Sequence, residues 1–401
     1  MKRRNVLALV CAGVAGTSGC LRLQGGEEPT PSEEEPTPSE TASDETPPDD
    51  GSNEVTLTEM WTDENGVGYI WTRENVFYYN SYNYAAEASE MSGVRWSTDT
   101  TYNGFDRNFS TDAFAADDRY AIFGYTPQVE EDEERGAHFH AYRRYDGEEV
   151  WVVGAPSDGT HKLSAGVTVV DDTAILAVSD YGNGNTGEPL VYGTDIETGE
   201  IRWETDQSVL SASLVRAVVS HDGDVYVATT DGVKILASDT GTLIESQDRW
   251  RIGVPGFKLG ALYQMHGGTL FAGEFNNLNA YPLGGNGVSW SRSELGRLSV
   301  KPAVDNSLVV VGTQQGDVYA FERGSGETRW EASITNSVGA VETTSSHVWV
   351  GDTDIGLTAY DRETGSLVHR STKPVNGADI AVLDSDVLLL GGDDATAYDI
   401  N

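Results

Sequence analysis

A short phrase recurs along most of this chain, and its spacing limits the fold more than any other feature. The phrase is Ala-x-Asp-x-x-Thr-Gly-x-x-x-Trp. Ala320-Phe321-Glu322 runs on to Ser325-Gly326 and Trp330, and Gly193-Thr194-Asp195 to Thr198-Gly199 and Trp203. Ala359-Tyr360-Asp361 leads to Thr364-Gly365, with His369 in place of tryptophan. Ala141-Tyr142 leads to Asp146-Gly147 and Trp151, and Ala280-Tyr281, with one residue of slippage, to Gly287 and Trp290. Ala237-Ser238-Asp239 continues to Thr240-Gly241, and a half-copy, Ala397-Tyr398-Asp399, ends the sequence. Measured on the residue after the Ala-like position, the copies fall at Tyr142, Thr194, Ser238, Tyr281, Phe321, Tyr360 and Tyr398, in steps of 52, 44, 43, 40, 39 and 38. A period near 40 with several short strands per unit is the mark of propeller blades.

Each residue of the phrase has a mechanical task. Gly147, Gly199, Gly241, Gly326 and Gly365 supply the positive φ that a tight turn needs, while Asp and Thr bond the local backbone. The tryptophans Trp61, Trp96, Trp151, Trp203, Trp290 and Trp330 are expected on outer strands, wedged between blades, each covering about 150–250 Å². The small Ala-like residue leaves room for the ring.

Between the copies lie short apolar runs such as Tyr120-Ala121-Ile122-Phe123, Ala174-Ile175-Leu176-Ala177-Val178, Val225-Tyr226-Val227-Ala228 and Leu308-Val309-Val310-Val311, separated by Gly, Asp and Asn. No long helical periodicity interrupts them, so residues 55–401 read as an all-β domain. An earlier copy around Val76-Phe77-Tyr78-Tyr79, ending at Gly93-Val94-Arg95-Trp96, makes eight four-stranded blades, with seven as the alternative. The runs Glu130–Glu134 and Tyr181–Asn185 read as insertions that lengthen the early steps. Because the last copy stops before its outer strand, Val55–Trp61 is expected to supply that strand and close the ring.

The phrase resembles the repeats of pyrroloquinoline-quinone-type propellers over nearly the whole of residues 55–401. That family includes quinoprotein alcohol dehydrogenases and the non-catalytic BamB-like scaffold lipoproteins of outer-membrane assembly. For an enzyme, the resemblance implies pyrroloquinoline quinone, a calcium ion held by Glu, Asn or Asp, a catalytic Asp, a stacking Trp and, in many members, a vicinal cysteine disulfide. Cys11 and Cys20 are the sole cysteines, so that disulfide is impossible in the propeller.

The chain opens Met1-Lys2-Arg3-Arg4, continues with an apolar run from Val6 to Ala15, and reaches Gly19-Cys20. Residues 1–20 read as an export signal, too short to span a bilayer comfortably. The Arg3-Arg4 pair resembles a twin-arginine signal and Gly19-Cys20 a lipobox end, although Thr17 stands where an aliphatic residue is usual. Residues 21–54, rich in Glu, Asp, Pro, Thr and Ser, read as a disordered acidic spacer. The expected location is the extracellular side of the cell membrane, held by lipid on Cys20.

Asp and Glu number 64 against 26 Lys and Arg, for a net charge of -38, which disfavours nucleic acid and anionic lipid surfaces. With 9 Trp, 18 Tyr and 10 Phe, all from Trp61 onward, the acidity belongs to a folded surface and resembles that of salt-loving archaea. His138-Phe139-His140 puts two imidazoles on one strand face, but with no third ligand in the sequence it reads as an exposed pair, not a metal site. Asp117-Asp118, Asp171-Asp172 and Asp393-Asp394 read as solvated turns, and Asn108-Phe109-Ser110 as a possible N-glycosylation sequon. No nucleophile elbow, phosphate loop or zinc spacing is present. The expectation is a monomeric, non-catalytic module without cofactor or metal that binds a protein or envelope partner. Cys20 is expected to be the first mature residue and to carry lipid. Mass spectrometry of the mature N-terminus checks this: an unmodified terminus elsewhere, or a Cys20→Ser chain held as firmly by membranes, rules it out.

Overall fold

A computed structural model describes residues 55–64, 69–72, 76–79, 84–89, 93–99, 107–127, 136–154, 162–180, 188–212, 214–229, 232–247, 263–285, 287–352, 356–371, 380–384, 387–390 and 395–401. The lipidation candidate Cys20, the acidic spacer, Glu130–Glu134, Tyr181–Asn185 and Asp393-Asp394 lie outside these residues.

Alternation of apolar and polar residues in runs too short for helices makes strands, and among the described residues these pair into eight antiparallel sheets of four. Seven sheets are sequential: blade 1 (69–99), blade 2 (107–154), blade 3 (162–206), blade 4 (215–247), blade 5 (263–292), blade 6 (303–333) and blade 7 (338–370). Blade 8 takes three strands from 380–400 and its fourth from Leu57–Asp63. This is an eight-bladed propeller, with the first strand of one blade lying against that of the next, as blade 2 on 3, 3 on 4, 6 on 7, 7 on 8 and 8 on 1. The second strands are the best buried: Thr173–Asp180 and Leu308–Gly312 are buried throughout, because neighbouring blades cover both faces.

The third and fourth strands of most blades meet in one register. Ala141 faces Trp151, Gly193 faces Trp203, Ala280 faces Trp290, and Ala320 faces Trp330. The closing strand keeps the rule, with Trp61 opposite Ala397, so the seam between the two ends of the chain is built like the others. Each tryptophan then leans on the turn of the following blade. The indole N–H groups of Trp151, Trp203, Trp290 and Trp330 donate to the carbonyls of Ile196, Ser238, Arg323 and Arg362 at 2.8–2.9 Å, and Trp96 donates to that of Arg144 at 3.1 Å.

Glycine is obligatory in that turn for two reasons at once. Gly326 has φ +67°, and a Cβ there would lie 2.5 Å from the Trp290 ring. Gly147, Gly199, Gly241 and Gly365 repeat the arrangement against Trp96, Trp151, Trp203 and Trp330, and Gly93 receives Trp61.

Three departures are instructive. In blade 4 the phrase is shifted by two residues from the reading above: Gly241 N–H bonds the carbonyl of Ala237, so Ala237 holds the Asp position and Ile235, facing Glu245, holds the Ala position. Blade 4 therefore has no docking tryptophan, and an apolar cavity of about 10 Å³, room for roughly one water, remains between Ala217, Tyr226 and Val233 of blade 4 and Leu270 and Leu283 of blade 5. In blade 7, His369 occupies the tryptophan position opposite Ala359, and its Nδ1 donates to the Val55 carbonyl at 2.7 Å. In blade 1 the Ala position is Glu87, opposite Trp96.

The closing strand couples the two ends of the chain through a ladder with one bulge at Met60, through Trp61 and through the His369 bond. Deleting residues 55–61 should lower unfolding stability by about 3 kcal/mol or more, the scale of losing one large packed aromatic. Denaturant titration of the truncated and intact chains checks it; equal midpoints would contradict this role for the strand.

Candidate interaction faces

Strand connectivity gives the propeller two rims. Turns joining strand 1 to 2 and strand 3 to 4 open on one rim, and turns joining strand 2 to 3, with the links between blades, open on the other. Residues that bind partners are found disproportionately on such loops.

The first rim is stitched to itself. Asp195 Oδ1 accepts from the backbone N–H of Glu197 and Thr198 and from the Thr198 hydroxyl at 2.9–3.0 Å, and Asp361 repeats this with Glu363 and Thr364. Burial opposes the charge on Asp195, but Arg202 and the Thr198 donors outweigh it and hold the carboxyl below its usual range. Ion pairs then cross from blade to blade. Arg119 of blade 2 pairs with Glu197 of blade 3 at 2.5 Å, and Arg329 of blade 6 with Glu363 of blade 7 at 3.0 Å.

The strongest stitch is Asp305 of blade 6 with Arg362 of blade 7. One guanidinium nitrogen, Nη2, donates to Asp305 Oδ1 and to the Ser307 hydroxyl, each at 2.7 Å. The other, Nη1, donates to Asp305 Oδ2 and, at 2.9 Å, to the Thr344 carbonyl. Against the desolvation that disfavours its charge, the Arg362 fork and the N–H groups of Ser307 and Leu308 bring the Asp305 carboxyl down from 3.8 to about 2.

Two buried polar groups lie beneath the surface of blades 1 and 2. Glu87 is fully buried and receives the Trp96 indole N–H at 2.9 Å, Arg144 at 3.1 Å and Arg95 at 3.2 Å, so its charge is matched on the spot. Alanine patterning concealed it; the signal in the sequence was a carboxylate where the repeat demands a small residue. The His138-Phe139-His140 reading needs correction, since His140 is not exposed. It is buried, with Nε2 at 2.6 Å from the Tyr125 hydroxyl and Nδ1 at 2.5 Å from Glu149 Oε2. The imidazole is thus engaged at both nitrogens.

Other sequence candidates fall where packing or turns need them. Asp117 caps its own turn, accepting from the N–H groups of Arg119 and Tyr120, and Asp171 takes φ 51° at the tip of its hairpin. Asn108 lies within strand Arg107–Ala116. Trp96, Trp151, Trp203, Trp290, Trp330 and Trp349 are buried, which leaves none of them a free face for a stacked quinone. Among the described residues there is no group of three or more His, Cys, Asp or Glu that could hold a metal ion.

The second rim differs. On it, among the described residues, Phe275 stands exposed at the strand 2–3 turn of blade 5, with Arg297 of the following link 5.4 Å over its ring. In sequence, Glu130–Glu134 and Tyr181–Asn185 fall between the second and third strands of blades 2 and 3 and lie outside the described residues.

A family model described as "Outer membrane protein assembly factor BamB" matches residues 135–274 and 274–401, more than half of the chain. Among solved structures, BamB from Moraxella catarrhalis is 17% identical with a TM-score of 0.59, covering 86% of this chain and 100% of that one. The C-terminal WD40 domain of Sif2 is 10% identical with a TM-score of 0.61, covering 86% and 98%. A quinohemoprotein alcohol dehydrogenase from Pseudomonas putida HK5 is 10% identical with a TM-score of 0.58, covering 86% and 76%. At these identities the structural likeness establishes the fold. No curated protein matches by sequence.

Folded-state depression of the Asp305 pKa means that the clamp adds its full stability above the unfolded value near 3.8 and loses it as pH falls toward 2. Asp305→Asn should therefore cost about 1.5–3 kcal/mol at pH 7, the range for a charged hydrogen bond, and much less near pH 2. Urea midpoints of the two proteins across that range check it.

Proposed function

We propose that this chain, which belongs to the family described as outer membrane protein assembly factor BamB, is a non-catalytic platform that binds a protein or cell-envelope partner through one propeller rim. The observation that carries this reading is an exposed aromatic–cation pair on the second rim, Phe275 with Arg297 over its ring, held on a rigid ring whose described strand 3–4 turns are tied to neighbouring blades by pairs such as Arg119–Glu197 and Arg362–Asp305. The family description, an assembly factor, points the same way.

Lipid on Cys20 and the acidic spacer would hold the platform clear of the membrane on the extracellular side. A single acyl chain anchors only marginally, so firm attachment needs two or more chains. The acidic surface as a whole disfavours nucleic acid and anionic headgroups and favours basic or cation-bridged partners, and in salt-rich surroundings short-range aromatic and hydrogen-bond contacts decide specificity. The fold works as a monomer in this reading, since the ring closes on itself.

Reconstitution with pyrroloquinoline quinone and calcium tests the non-catalytic part. No stoichiometric uptake and no alcohol- or sugar-dependent dye reduction are expected; uptake with turnover would replace the platform by a quinoprotein dehydrogenase. Uptake without turnover would make the chain a ligand sensor.

A further inference from the structure

Five non-glycine residues among those described have backbone φ in the left-handed region: Asp171, Ser211, Asp222, Phe275 and Glu294. Asp and Ser tolerate this conformation in turns through their own short hydrogen bonds. Phenylalanine and glutamate have no such compensation. Both sit in one patch, the strand 2–3 turn of blade 5 and the link from blade 5 to blade 6.

At φ 57° Phe275 is strained, and at 52% exposure its ring contributes little to any core. Glycine would suit the backbone better, as Gly316 does at φ 90° in the corresponding turn of blade 6. Stability therefore does not account for the ring.

The backbone around it is fixed. Leu298 N–H donates to the Phe275 carbonyl at 2.8 Å and Leu295 N–H to that of Asn276 at 3.1 Å, with both leucines buried. Gln314 N–H in turn donates to the Arg297 carbonyl at 2.8 Å, which ties the link to blade 6. The backbone that carries the ring and the guanidinium is held in place in advance of any partner, which lowers the ordering cost of binding.

Charge marks the same place: the end of blade 5 and the link after it carry Arg292, Arg297 and Lys301 against Glu294 alone, in a chain with 64 acidic and 26 basic residues. Arg95, Arg119, Arg143, Arg144, Arg202, Arg329 and Arg362 all pair with carboxylates. Arg292, Arg297 and Lys301, like Arg216, Arg323 and Arg370, make no ion pair among the described residues; what distinguishes the three is that they fall within one ten-residue stretch whose backbone packs against the Phe275 turn.

We propose that Phe275, Arg297, Arg292 and Lys301 form a docking site for a partner protein's acidic segment, one in which carboxylates flank an apolar side chain. The apolar side chain packs on the exposed part of the Phe275 ring, and the carboxylates take the guanidinium of Arg297 and the neighbouring cations. Elsewhere the surface repels an acidic partner, so the patch also fixes orientation. The inference rests on the platform reading and places its contact.

The test uses the full chain in its own membranes, with photoreactive p-benzoylphenylalanine placed in turn at Phe275, at Tyr145 on the opposite rim and at Ile244 on the outer flank of blade 4. The position-275 protein should give a cross-linked partner peptide with carboxylates on both sides of an apolar residue. Adding Arg297→Glu should cut the yield at least tenfold, while Arg297→Lys should keep most of it. Adducts at 145 or 244 without one at 275 would overturn the site and leave the platform reading standing; no adduct at any of the three would count against both. A lipid adduct at 275, a cross-linked peptide without carboxylates, or indifference to Arg297→Glu would also overturn it. Phe275→Gly provides the stability control: its Tm should equal or exceed the parent's while partner capture by the intact chain is lost. A clear fall in Tm would mean that the ring is structural.

Discussion

The whole ring hangs on one contact, the indole of an outer-strand tryptophan seated on the strand 3–4 turn of the following blade. Its N–H bonds a turn carbonyl, and its face covers a glycine whose missing side chain makes the approach possible. Burying about 200 Å² of aromatic surface is worth about 5 kcal/mol as an upper value, and the hydrogen bond adds direction that apolar burial lacks. Because six of the eight blades supply a tryptophan to the turn of a neighbour, the contact recurs around most of the ring. The strand Leu57–Asp63 matters for the same reason: through Trp61 it gives the last blade what the chain's end does not.

The seams are not uniform, and their differences follow from what replaces the standard pair. Glu87 stands where alanine belongs, a buried carboxylate that is tolerable because Arg144, Arg95 and the Trp96 indole all reach it. His369 keeps a polar bond to Val55 but covers less area than an indole. Glu245 gives no ring at all, and the small apolar cavity between blades 4 and 5 lies at that seam.

The two rims have been put to different uses. Tryptophan docking brings the strand 3–4 turn of one blade close to the strand 1–2 turn of its predecessor, and the charges on that rim, such as Asp305 and Arg362, find each other across the seam. On the opposite rim, among the described residues, Phe275 and Arg297 stand exposed on a turn and link whose backbones are pinned to each other and to blade 6. A rigid ring of this kind is suited to presenting contacts in a fixed geometry.

Much of this was readable from the chain, because it depends on residues close in sequence. The period near 40, the positive-φ glycines, the tryptophan ten residues after its small partner, and the incomplete last copy fixed the blades and their closure. Spacing misplaced the phrase by two residues in blade 4, where Ala237 imitated the small position and only the turn hydrogen bond to Gly241 corrected it. It also left His140 on the surface, since strand alternation tells which residues share a face but not what the next blade lays over that face. Glu87 with Arg144 and Asp305 with Arg362 pair across 57 residues, and Phe275 owes its exposure and its strained φ to a turn pinned by the following link. Local sequence thus determined the repeat and the ring, whereas the charge pairs between blades, and the cations left without any, were decided by tertiary structure, which brings side chains from different blades within bonding distance.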